Sequence, residues 1–229
     1  MLQSLKKRLA PHKTEPVERN TRRFLRFFPK GFKDPKYFAW ERGYKWEAHR
    51  GFDKALNRKA FEELLAVGKY IEIAGTCLRL ESRTNLLFSF EKMAIRDAVK
   101  TRKGAKTFAE GLFELLHGDG TLDLRFETWC EAIAALPRKQ TRVLTHPVAT
   151  VFPFIADPRR HIFLKPLVTK KAAERLGIEF RYNARPAWAV YASLLDLAGQ
   201  LRSRLKDLEP RDMIDIQSFI WVTGSSEYE

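Results

Sequence analysis

The sequence predicts an α+β protein, predominantly α-helical, with a helical N-terminal part followed by a smaller part of short strands and two or three helices. Apolar residues between 35 and 136 recur at spacings of three and four, with turn and stop residues between the runs. After Pro137 the chain becomes β-branched and aromatic, and "IEFRYN" sets Ile178, Phe180 and Tyr182 in alternation with Glu179, Arg181 and Asn183. At 229 residues and 45% apolar content, the chain can bury a sizeable core.

Taken in order, residues 1–20 read as a flexible basic arm, with an amphipathic turn on Leu2, Leu5 and Leu9 and order beginning near Arg22. Asp34 caps and Pro35 opens a helix over 35–50 that Gly51 stops or kinks. A second helix covers 58–80, unless "VGKYIEIAG" breaks it and starts a short strand. "TNLLFSFEKMAIRDAVKTRKG" is a helix capped by Thr84 or Asn85 and ended by Gly104, with Lys100, Arg102 and Lys103 at its negative end. Helices at 105–117 and 122–136 follow, closed by "HGDG" and by Pro137.

Beyond that proline, "TRVLTHPVATVFPFI", "HIFLKPL" and "IEFRYN" are expected as strands, with a helix between the last two that Thr169 caps and Gly177 ends. Tyr191, Leu194, Ala198, Leu201, Leu205 and Leu208 form a regular apolar stripe, either core or a homodimer seam. "PRDMIDIQSFIWV" is a short helix, or a helix running into a strand. The domain reading is 1–20 arm, 21–136 helical basic-aromatic region, and 137–229 smaller α+β region packed on the first.

Charge is the main functional signal. The net +14 is concentrated in residues 1–60, at +11, and residues 137–186, at +8, with slightly acidic stretches between and after them. Such blocks repel themselves and attract polyanions, or else form a solvated face with no partner. Within "TRRFLRFFPKGFKDPKYFAWERGYKWEAHRGF", residues 21–52, nine cations are interleaved with ten aromatic rings. Cations hold phosphates and rings stack on unpaired bases, although a helix must also bury some of those rings.

The expected nucleic-acid contacts are Arg22, Arg23, Arg26, Lys30, Lys33, Arg42 and Lys45 in the first block. In the second they are Lys139, Arg142, Arg159, Arg160, Lys170 and Lys171, the last two near a helix start whose free amides attract anions.

Carboxylates supply the candidates for chemistry. Glu91 falls in the middle of an apolar helix face, so it is protonated, ion-paired or part of a site. Asp212 and Asp215 share a helix face and either cap and clamp a basic neighbour or hold a divalent ion. With Lys165 these three have the residue types of a metal-dependent nuclease, without a spacing that links them. The five histidines form no metal-ligand pattern, "HGDG" is too short for a phosphate loop, and no nucleophile elbow is present. No cofactor is expected outside the nuclease alternative. Cys77 and Cys130 form neither a disulfide framework nor a metal spacing, and no apolar run is long enough for secretion or a membrane span, so the expected setting is cytoplasmic with no membrane partner.

The phrases "RTNLLFSFEKMAIRDAVK", "LPRKQTRVLTHPVATVFPFIADPRRHIFLKP" and "PRDMIDIQSFIWV" resemble stretches of an uncharacterised family of bacterial cytoplasmic proteins. The resemblance implies a bacterial or phage-related origin and carries over no functional residue. The sequence thus leads first to a nucleic-acid-binding protein, DNA or RNA, largely directed at the backbone. A metal-dependent nuclease is the alternative, and an interaction module dimerising through 191–208 the second alternative.

Overall fold

A computed structural model describes residues 15–139 and 141–229, and every regular element in it is helical. The expectation of short strands is therefore wrong. The Leu2/Leu5/Leu9 turn and most of the expected arm lie outside the described residues. Helix α1, Pro16–Phe27, already begins ahead of Arg22, with Pro16 at a first-turn position that needs no N–H.

Asp34 caps α2, Pro35–Tyr37, by accepting from the Lys36 amide. A π turn, Phe38–Arg42, joins it to α3, Gly43–Leu56. Gly51 neither stops nor kinks α3. A Cβ there would stand 2.5 Å from Leu80 Cδ2, so the missing side chain permits a close crossing with α5. The 58–80 segment breaks into α4, Arg58–Ala66, and α5, Tyr70–Ser82, at Gly68, whose φ of +69° suits glycine.

Helix α6 spans Ser89–Ala98 and α7 spans Arg102–His117, so the single helix expected from Asn85 is shorter and Gly104 lies inside the first turn of the next one. There Gly104 is needed for clearance, since a Cβ would stand 2.0 Å from the Ala98 carbonyl oxygen. Helix α8, Leu122–Ala134, ends near Pro137 as expected.

The strongest departure is α9, His146–Ala156, where a strand was expected. All residues from His146 to Ile155 are buried, and an unbroken apolar run has no period by which a buried helix differs from a buried strand. Pro147 sits in the first turn. Pro153 cannot donate to Ala149 four residues earlier; the Trp129 indole N–H reaches that carbonyl instead, at 2.8 Å. Residues 161–165 and 178–183 form no regular element, and side chains from helices occupy their backbone. Ile162 donates to the Tyr191 hydroxyl, Leu164 to Thr150 Oγ1 and Arg181 to Ser193 Oγ, while the Asn183 carbonyl accepts from His146.

Helix α10, Pro166–Leu176, starts before Thr169, which is buried within it, and ends at Gly177 in the left-handed conformation. Helix α11, Trp188–Arg204, buries the expected stripe from Tyr191 to Leu205 in the chain's own core, with Leu208 half-buried, so that seam is not open to a second copy. Helix α12, Met213–Gly224, is buried along nearly all its length and runs into no strand. It packs on α10, α11 and α1, so the first and last of the described α-helices share one core. Among the described residues no helix is long and apolar enough to cross a membrane.

Candidate nucleic-acid interface

The first basic segment turns mostly inward. Phe24, Phe28, Phe32 and Tyr37 are fully buried in one aromatic cluster completed by Phe219 of α12. Arg42, 4% exposed, grips Asp212 with two nitrogens at 2.8 and 2.7 Å and donates to Asp215 at 2.9 Å. Asp215 also accepts from the Tyr37 hydroxyl at 2.6 Å and from Arg211. Burial opposes its charge, but Arg211, Arg42 and Tyr37 together hold its carboxyl below the ordinary range.

Lys45, 2% exposed, donates to Ser218 at 2.9 Å and pairs with Glu41 at 3.4 Å; burial pushes its ammonium below the usual lysine range. The assignment of Arg42 and Lys45 as nucleic-acid contacts is thereby overturned, because a polyanion cannot reach either.

Three of the remaining predicted cations have acidic or carbonyl neighbours. Arg23 donates to the Tyr228 carbonyl and Lys33 pairs with Glu209 at 2.8 Å. Arg22 lines a groove with Glu15, Glu18 and Asp207. Arg26 and Lys30 are exposed.

The nuclease candidates do not converge. Asp212 caps α12 through the Ile214 amide, and both aspartates are held by Arg42. Glu91 occupies the first turn of α6, where its carboxylate accepts the Phe88 amide at 3.0 Å and the Thr145 hydroxyl at 2.9 Å. Its position on the apolar face is thus explained by a capping role and a tie to α9. Among the described residues no three His, Cys, Asp or Glu side chains are grouped to hold a metal ion.

The second block has a different environment. A cleft of about 690 Å³ opens where the N-termini of α6, α9 and α10 meet the C-terminus of α12. Helix N-termini carry partial positive charge and attract anions. The α10 end has no side-chain cap, and its first-turn residues Leu167 and Val168 line the cleft. The anion-attracting end is therefore at Pro166, and Lys170 and Lys171 lie further along the helix than the sequence suggests.

Phe88 and Phe90 stand on the cleft wall, 53% and 50% exposed, with rings stacked at 5.6 Å and 17°. Lys165 lies 3.5 Å over the Phe88 ring and donates to the Leu86 carbonyl at 2.9 Å. Burial lowers the pKa of its ammonium, and Glu91 only partly offsets this. Arg142 and Lys171 line the same cleft, and Tyr182 on its edge carries Lys170 at 5.3 Å. Lys171 also pairs with Glu229 at 2.6 Å. His146, beneath Tyr182, donates to the Asn183 carbonyl; burial lowers its pKa and favours the neutral ring.

Of the other predicted contacts, Arg159 is exposed, Arg160 is held by Asp157, and exposed Lys139 lies 4.0 Å from Asp97. Sequence reasoning missed Phe88, Phe90, Tyr182 and Trp221 as cleft residues. The signal was two aromatics at one helix start, too close in sequence for both to face the core. Comparison with protein-family models, with curated proteins and with solved structures yielded no match.

Proposed function

We propose that this chain binds single-stranded nucleic acid, DNA or RNA, in the cleft between the N-termini of α6, α9 and α10. The observation that carries the reading is the half-exposed Phe88/Phe90 stack beside Lys165. A water-exposed pair of stacked rings gains little from folding, whereas stacking an unpaired base on such a platform is worth roughly 1–3 kcal/mol.

Arg142 and Lys170 flank the cleft and supply phosphate contacts that position a strand without reading its sequence, while Lys171 is held by Glu229. A duplex hides its base faces, so the cleft favours unpaired strands. The buried thiols Cys77 and Cys130 fit the cytoplasmic setting proposed for this activity.

The test is a salt titration of binding to labelled single- and double-stranded DNA and RNA. Single strands should bind more tightly, with affinity falling steeply as salt rises. Equal affinity for duplex and single strand, or no binding at low salt, would remove the reading.

A further inference from the structure

Behind the cleft lies a second, much smaller chamber of about 20 Å³. It shares Asn85, Lys165 and Trp221 with the cleft and is completed by Tyr44, Lys45, Gln217 and the apolar Leu86 and Phe163. About 10–15 Å³ suffices for one water-sized group, so the chamber admits a single amino or hydroxyl group and no ring. Gln217, on α12, is only 4% exposed, and its Oε1 has no hydrogen-bond partner. A buried acceptor of this kind is costly unless a donor reaches it.

We infer that the chamber recognises the amino-bearing edge of an unpaired cytosine or adenine, with Gln217 Oε1 accepting from the exocyclic amine. The inference rests on the reading of the cleft as a single-strand site. The chamber asks for opposite groups side by side. Gln217 offers an acceptor, while Lys165, beside it and above Phe88, offers a cationic donor. Cytosine and adenine both place an amine next to a ring nitrogen that accepts. Thymine and uracil present a carbonyl where the amine would be, and that oxygen would face the Gln217 oxygen with no proton between them. Lys165 Nζ stands 3.5 Å over the Phe88 ring, so a base that stacks on that face displaces the ammonium toward its own edge, and Lys165 is the side chain common to both cavities. Sites that bury a hydrogen-bonding group reject analogues lacking the matching donor, because the buried group is then left unpaired.

Short labelled oligo(dC), oligo(dA) and oligo(dT) compared by fluorescence anisotropy at low salt give the test. The expected result is about tenfold tighter binding of oligo(dC) and oligo(dA) than of oligo(dT), the size of one satisfied hydrogen bond. Oligomers of N4,N4-dimethylcytosine, which keep the ring but lose the donor, should fall to the oligo(dT) level. In Gln217→Met the preference should vanish, with a melting temperature equal to or above wild type because the orphaned acceptor is gone. Competition by free CMP and AMP, but not by free TMP, would assign the same edge to a mononucleotide ligand. Wild-type binding of all oligomers with equal affinity, or a preference that survives dimethylation or Gln217→Met, overturns the inference and leaves the single-strand reading standing. Absence of binding to every oligomer overturns the single-strand reading itself.

Discussion

Residues 21–52 and the cleft at residues 85–91 and 142–182 are built from the same ingredients, aromatic rings beside lysine and arginine, yet the fold uses them oppositely. In the first region most rings form core, Phe38 and Trp40 with its overlying Lys36 being the exceptions, and the innermost cations are locked onto Asp212, Asp215 and Glu41. In the second, two rings remain half-exposed and the cations around them face a cavity. Composition therefore does not identify an interface; the fate of each charge does. A cation with a buried carboxylate partner holds structure together, while one at an open helix N-terminus is left to meet an external anion.

The largest effect should come from Arg42→Met. Removing the guanidinium leaves Asp212 buried without its bidentate partner and Asp215 with only Arg211 and Tyr37, and breaking such a buried pair costs about 3–5 kcal/mol. Urea denaturation should show the loss, while the surviving folded protein binds nucleic acid unchanged. A variant of wild-type stability with weakened binding would reverse the assignment of the two regions.

Acid should separate them next. His161, buried against Tyr191 in the connection that leads to Lys165, has its pKa lowered by burial from 6.5 to about 4. Between those values the unfolded chain binds a proton that the folded chain does not, so stability falls as pH drops and the fall ends near pH 4. The difference amounts to about 3 kcal/mol at most. Buried His146 contributes with the same sign. Asp215 shifts the other way. Its carboxyl is below 3.8 when folded, so the stability it provides is intact above that value and is lost only at lower pH. Urea midpoints from pH 7 to 4 should therefore decline, and His161→Gln should flatten the decline. An unchanged slope in that variant would show that His161 is not the group responsible.

How much of this was legible in the sequence depends on what a local pattern records. Caps and stops were readable where one residue settles the geometry, as with Asp34 accepting the Lys36 amide and Gly177 ending α10. The strands were misread because β-branching and alternation describe a segment's surroundings, not its partner. IEFRYN does alternate, but the groups its backbone meets are Ser193 and His146 from distant helices. The helix start beside the second basic block was misplaced: it lies at Pro166 rather than Thr169, so Lys170 and Lys171 sit further along α10. Phe88 and Phe90 were hidden by starting α6 at Asn85, which turns Phe88 inward; starting at Ser89 leaves Phe88 at the N-cap and Phe90 in the first turn. Asp212 and Asp215 could be seen as a pair, but the partner that defines their role, Arg42, lies far away in sequence.

Truncating the platform gives a smaller and more local effect. Phe88→Ala and Phe90→Ala should each weaken single-strand binding by roughly 1–3 kcal/mol. Their half-exposed rings contribute little to the core, so the melting temperature should stay close to wild type. Loss of stability without loss of binding would return these rings to the category occupied by Phe24 and Phe28.

The smallest effect is also the most discriminating, because it compares cations that are alike in exposure and differ only in their surroundings. Lys170 and Arg142 lie at the cleft, whereas Lys33 is equally open to water but paired with Glu209. Each phosphate contact on a single strand contributes about 0.7 to the slope of log affinity against log salt. Arg142→Gln and Lys170→Gln should each lower that slope by about this amount and reduce affinity for all sequences alike, since phosphate contacts carry no base information. Lys33→Gln should leave the slope unchanged, because exposed ion pairs contribute little and no strand passes over it. Equal changes in all three would mean that the polymer meets a diffuse positive surface, and the cleft would lose its claim over the first basic block.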